Sequence, residues 1–187
     1  PDVTAECEVN SLIVPSATDN CGGTIIVTNN ASLPVTSSTT ITWAYDDGNG
    51  NITFQNQNII IDDTTAPVPD AASLPDITAQ CEVTSLTPPT ATDNCGGTVI
   101  VTNNVTLPIT AQGTTVITWT FDDGNGNTAT QNQNVIIDDI TPPVPDVATL
   151  PNVTAQCEVT SLTPPTATDN CGGTVIVTNN ATLPITT

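Results

Sequence analysis

The octapeptide ATDNCGGT occurs three times, at Ala17–Thr24, Ala91–Thr98 and Ala167–Thr174. Its surroundings repeat with it: Cys7, Cys81 and Cys157 open equivalent segments, a period of about 75 residues. A fixed period of this size confines the chain to an array of small similar domains. Chemistry that needs one unique site is not normally stamped out in tandem copies. The repeat therefore points to a stalk, a fibre or a spacer.

The first unit runs over residues 1–74 and the second over 75–150. The third, 151–187, carries the N-terminal half of the repeat and lacks the segment holding Trp43 or Trp119. Half a set of strands cannot bury a core alone. The chain is thus either a window on a longer array, or its half-unit is completed by strands of a neighbouring subunit.

Nineteen acidic residues stand against no Lys, Arg or His, a formal net charge of −19. Nothing in the chain neutralises phosphate, which excludes nucleic acid and anionic membrane surfaces as partners. No apolar stretch approaches the length of a membrane span. The same charge opposes compaction, and bound cations are the usual remedy.

The cysteines fall two to a repeat: Cys7 and Cys21, Cys81 and Cys95, Cys157 and Cys171. Equivalence of the repeats selects pairing within each unit, and a loop of that size stabilises by about 3 kcal/mol. Structural zinc is the competing use, but two cysteines without histidine are too few ligands. Disulfides place the protein outside a reducing cytosol.

No helical period is visible. Short β-branched runs stand out at 24–28, 39–45, 52–57 and 59–62, with counterparts at 98–102, 114–121 and 135–138. In TTVITWTFDD, Val116, Thr118 and Thr120 alternate with Ile117, Trp119 and Phe121, which predicts a half-buried strand with its aromatic side inward. Trp43 and Trp119 are then core aromatics rather than carbohydrate platforms. Asp-Gly-Asn-Gly follows at once as a hairpin signal. Proline-rich linkers, Ala66–Pro69 and Pro142–Pro145, close the units. The fold class predicted is all-β: tandem immunoglobulin-like antiparallel β-sandwiches of about seven short strands each.

TDNCGG, then GTTVITWTFDDGNGN, then a strand and D-x-T-x-P together resemble the hyalin repeat (HYR) domain, an immunoglobulin-like module. The variant is similar to arrays in very large secreted bacterial surface proteins. What the resemblance implies is adhesion or spacing, not catalysis. In the common pattern the TDNC cysteine pairs with one in the strand after the GN turn. Here that strand, Asn51–Asn58, has none, and a cysteine appears early in each repeat instead.

Oxygen side chains at alternate positions, Asp47, Asn49 and Asn51 and likewise Asp123, Asn125 and Asn127, have a spacing that can wrap calcium. A plain hairpin turn explains the same residues. A second acidic set flanks the linkers: Asp62, Asp63 and Asp70, then Asp138, Asp139 and Asp146, with Asp19, Asp93, Glu8 and Glu82 as further contributors. Calcium shared there would lock successive domains in line, against the bland reading of a solvated acidic surface. Sequons occur at Asn30, Asn51, Asn104, Asn152 and Asn180, and Thr64 is a candidate for O-linked sugar.

No catalytic residue is predicted, because no His or Lys is present to act as a base. The function predicted is a stiff acidic spacer in an extracellular adhesin stalk or filament, at the cell surface or secreted. The alternative is a self-assembling fibre subunit. Its partners are other repeats or copies of itself, and covalent glycans.

Overall fold

A computed structural model describes residues 1–186. Among them there is no helix. The strands are β1 (Val3–Ala5), β2 (Ile26–Asn29), β3 (Thr39–Asp46), β4 (Ile52–Ile61), β5 (Val68–Pro69), β6 (Ile77–Ala79) and β7 (Ala91–Thr92). They continue as β8 (Ile100–Asn103), β9 (Gly113–Asp122), β10 (Thr128–Ile137), β11 (Val144–Pro145), β12 (Glu158–Val159), β13 (Ala167–Thr168) and β14 (Ile185–Thr186). Two four-stranded sheets repeat one topology, β1-β4-β3-β2 and β6-β10-β9-β8. The all-β immunoglobulin-like class holds.

The first compact unit comprises Pro1–Leu74, Pro88–Asn103 and Thr118–Gln131. Its main hairpin joins β3 to β4 in antiparallel register from Thr39↔Ile59 to Asp46↔Ile52. Alternation along β3 turns Ile41, Trp43 and Tyr45 inward, where they cluster with Val9, Val35 and Ile59. The polar tips on this face find partners across the hairpin. Trp43 Nε1 donates to Gln57 Oε1 at 2.9 Å, and the Tyr45 hydroxyl donates to Gln55 Oε1 at 2.7 Å. On the outer face Thr40 and Thr42 donate to the side-chain oxygens of Asn58 and Asn56, directly opposite. Such cross-strand pairs explain a Thr/Asn-rich exterior.

The runs predicted as separate strands at 52–57 and 59–62 form one strand, β4. One edge departs from the expected antiparallel pattern: β1 runs parallel to β4, Val3 opposite Ile59. The long connection between β1 and β2 permits this, since parallel neighbours need a crossover of a dozen or more residues. Also in this unit β8 lies antiparallel to the end of β9. Trp119 and Phe121 there are buried, as their alternation requires.

The second unit comprises Pro75–Thr87, Asn104–Ile117 and the chain from Asn132 onward. Here β6 lies parallel to β10, Ile77 opposite Val135. Val83 and Ile109 form a bridge equivalent to Val9–Val35. Ile117, Val135 and Ile137 are buried. Two short pairs follow, β11 with β13 and β12 with β14. No described residue from Pro151 onward is buried, in keeping with its partial strand set.

Candidate functional site

The linkers and the TDNC turns converge. In the first unit β5 pairs with β7, Val68 opposite Thr92 and Pro69 opposite Ala91. That pairing carries the turn after β7 to the segment after β1. There Cys7 bonds to Cys95 with Cα atoms 4.9 Å apart, inside the window a disulfide requires. In the second unit β11 and β13 do the same for Cys81 and Cys171, again at 4.9 Å. Cys21 and Cys157 are free and exposed.

This corrects the pairing of Cys7 with Cys21, Cys81 with Cys95 and Cys157 with Cys171. Repeat equivalence is satisfied equally by a bond within each repeat and by a bond from each repeat to the next. The strand pairing across the linker selects the second. The longer loops, 88 and 90 residues, raise the chain-entropy stabilisation of each bond to about 4.6 kcal/mol.

Around the first disulfide a polar clasp closes. The Glu6 carboxylate accepts from Thr64 Oγ1 at 3.0 Å, Thr65 Oγ1 at 2.9 Å and Asn94 Nδ2 at 2.9 Å. The bonds from Thr65 and Thr64, with a smaller one from Asn94, hold its carboxyl below the usual glutamate range against a small desolvation effect. In the second unit Gln80 takes this place, its Oε1 accepting from Thr141 Oγ1 at 2.7 Å and Asn170 Nδ2 at 3.1 Å.

Asp63 and Asp93 meet beside the clasp. One oxygen of each, with Cys95 Sγ, lies within 4.8 Å of the others. Asp63 is fixed by Thr65 N donating to Oδ1 at 3.1 Å and Asn125 Nδ2 donating to Oδ2 at 3.2 Å. Asn127 Nδ2 donates to its backbone oxygen at 3.0 Å. Asp93 is 7% exposed; its Oδ2 accepts from Cys95 N at 2.8 Å, while Oδ1 is buried without a hydrogen-bond partner. The same triplet recurs as Asp139, Asp169 and Cys171. These are the groups of three candidate ligating side chains among the described residues.

The acidic set predicted at the linkers is thus divided. Asp63 and Asp139 join the triplets, whereas Asp62 and Asp138 stand outside them. Asp70 Oδ1 instead accepts from Thr92 Oγ1, and Asp146 Oδ1 from Thr168 Oγ1, both at 2.7 Å. Hydroxyls hold both carboxyls low, Thr90 then Thr92 for Asp70, Thr166 then Thr168 for Asp146.

In each turn the aspartate is satisfied by its own neighbours, although Asn125 and Asn127 of the second turn also reach Asp63. Asp47 accepts from Asn51 Nδ2 at 2.7 Å, Asn49 N at 2.8 Å and Asn51 N at 3.2 Å. Those bonds, Asn51's side chain foremost, hold its carboxyl low. Asp123 repeats the arrangement with Asn127 and Asn125; desolvation pushes its carboxyl up, and the turn's hydrogen bonds prevail to lower it. Gly48 and Gly50, at φ +78° and +96°, supply the left-handed backbone. The structure therefore brings the predicted calcium residues together as donors and acceptors of a turn, and neither turn is among the triplets.

All five sequon asparagines are exposed. Asn30 Oδ1 accepts from Thr42 N, and Asn51 Nδ2 donates to Asp47. The Thr64 hydroxyl is committed to Glu6. Sequence reasoning missed the roles of Glu6, Thr65, Asn94 and Asp169. The displaced cysteine of each repeat was the one signal that could have found them.

Residues 64–137 match the family described as "HYR-like domain with 4 cysteines". The chain carries a HYR-like domain. The domain holds two of the chain's cysteines, Cys81 and Cys95, and each is bonded to a cysteine outside it. Hyalin from Lytechinus variegatus is 36% identical over 188 residues, covering 87% of this chain and 34% of that protein. Hyalin from Strongylocentrotus purpuratus is 38% identical over 204 residues, covering 91% of this chain and 16% of that protein. The chain thus spans a small part of either relative. A solved structure of mouse clustered PcdhgC3 EC1-3 aligns with 72% of the chain and 55% of its own at 7% identity and a TM-score of 0.28, too low to carry an argument.

Proposed function

We propose that the chain is a load-bearing stretch of an extracellular repeat array, a non-catalytic spacer whose units follow the repeat at 1–74, 75–150 and 151–187. The observation that carries this is the order of the disulfides: Cys81 falls inside the loop closed by Cys7 and Cys95, and bonds to Cys171 beyond it. Tension entering at Cys7 crosses to Cys95, runs back to Cys81 and crosses to Cys171. The extensible path between the outer cysteines is then about 14 residues, roughly 50 Å, instead of about 164 residues and roughly 590 Å. Staggered bonds thus turn separate small domains into one covalent ladder. The two disulfides support an oxidising compartment, and the hyalin relatives support an adhesive or matrix setting.

Single-molecule stretching of the non-reduced chain tests this. Unfolding should release little contour length until reductant is added, when it rises about tenfold. Full-length release without reductant would refute the reading. The exposed thiols of Cys21 and Cys157 favour a second reading, in which copies of the chain join into a fibre through the same kind of bond. Disulfide-linked multimers under mild oxidation would support it.

A further inference from the structure

We infer that Asp63 and Asp93 hold a hard divalent cation, calcium by its ligand chemistry, beside the Cys7–Cys95 disulfide. The inference stands apart from the mechanical reading, since the site would bind whether or not the chain bears load. Two carboxylates lie within ligating distance of one another, and one oxygen, Asp93 Oδ1, is buried without a partner. A buried carboxylate oxygen left unpaired is costly, and two carboxylates this close repel. No cationic side chain can offset the two charges, because the sequence has no Lys, Arg or His. A cation between them would relieve both the repulsion and the unpaired oxygen.

The surroundings favour the cation. Thr65 N and Asn125 Nδ2 clamp Asp63, and Cys95 N clamps the other oxygen of Asp93. The two carboxylates are thereby held in place before any ligand arrives. A solvent-open cleft lined by Glu6, Glu8, Ser37 and Ser38 adjoins Asp63, giving negative potential and room for coordinating water. Cys95 Sγ is consumed in its disulfide, which removes the thiolate a soft metal would want. Oxygen donors in an irregular, water-completed set suit calcium better than magnesium, which demands a near-ideal octahedron. The Asp139–Asp169 pair repeats the arrangement with a half-buried Asp169, and should bind more weakly.

The test uses the full chain, stripped with chelator and desalted, titrated with calcium chloride by calorimetry and followed by thermal melting. Binding is expected near about 0.1–1 mM, the range of extracellular modules, with Tm rising as calcium is added. Asp93→Asn should abolish the stronger site, and Asp63→Asn, at a half-exposed position, should do the same if the first variant fails to fold. An unchanged titration in a folded variant overturns the proposal. So does a Tm rise that sodium chloride of equal ionic strength reproduces. If calcium has no effect and Asp93→Asn is more stable than the wild type, the pair is relieved without a metal and the cation site falls.

Discussion

Cys7 is bonded to Cys95, 88 residues further along the chain and in the next repeat, while Cys21 stays free. The bond exists because β5 pairs with β7 and delivers the TDNC turn to the segment after β1. The native, non-reduced chain should therefore take up two equivalents of alkylating reagent, at Cys21 and Cys157. Its digest should contain the linked peptides Cys7–Cys95 and Cys81–Cys171. A Cys7–Cys21 peptide would show that the bonds close within repeats.

Removing one rung has a predictable cost. The paired substitution of Cys7 and Cys95 by Ser should lower unfolding stability by about 2–5 kcal/mol, the range for native disulfides in small secreted domains. Urea melts monitored by tryptophan fluorescence would read it. The same substitution at Cys21 and Cys157, which are exposed and unbonded, should change stability by less than about 0.5 kcal/mol. Equal losses from both pairs would contradict the bonding pattern.

Trp43 is 2% exposed and keeps its ring nitrogen on Gln57. Trp43→Ala removes the largest buried ring of its cluster and should cost about 3–5 kcal/mol. Thr42→Ala, one residue away on the outer face, loses only an exposed bond to Asn56 and should cost at most about 1 kcal/mol. Matched losses would mean that the strand does not alternate as described.

How far the sequence spoke depends on the range of each interaction. The inward faces of β3 and β9 were readable because a period of two is local: Ile117, Trp119 and Phe121 are buried and alternate with less buried neighbours. The hairpins that follow them, β3 to β4 and β9 to β10, were readable from Asp-Gly-Asn-Gly. The disulfides were not, because translation along a repeat leaves the choice of partner repeat open. Nor was the fate of the oxygen-rich turn, since donors that can wrap a cation are the same groups that satisfy each other around Asp47. Asp93 was legible as a contributor to the linker set together with Asp19, but nothing set the two apart: Asp19 and Asp169 are only half-buried, and what buries Asp93 is tertiary.

The two clasps differ at two positions, Glu6 against Gln80 and Thr64 against Ile140, and acid should separate them. Glu6 accepts three hydrogen bonds that its protonated form would keep only in part, so its folded pKa lies below its unfolded one. Stability from such a group is present at pH above the unfolded value, about 4.3, and is lost as pH falls through the folded value. Gln80, in the equivalent place, does not titrate. Other carboxyls held low, Asp47, Asp70, Asp123 and Asp146, add to the same acid loss, so the wild-type melt alone does not isolate Glu6. Glu6→Gln does isolate it. Tm measured from about pH 6 to pH 3 should fall less steeply in the variant than in the wild type, with the difference opening below about pH 4.3. Parallel curves would mean that the bonds from Thr64, Thr65 and Asn94 do not depend on the charge of Glu6.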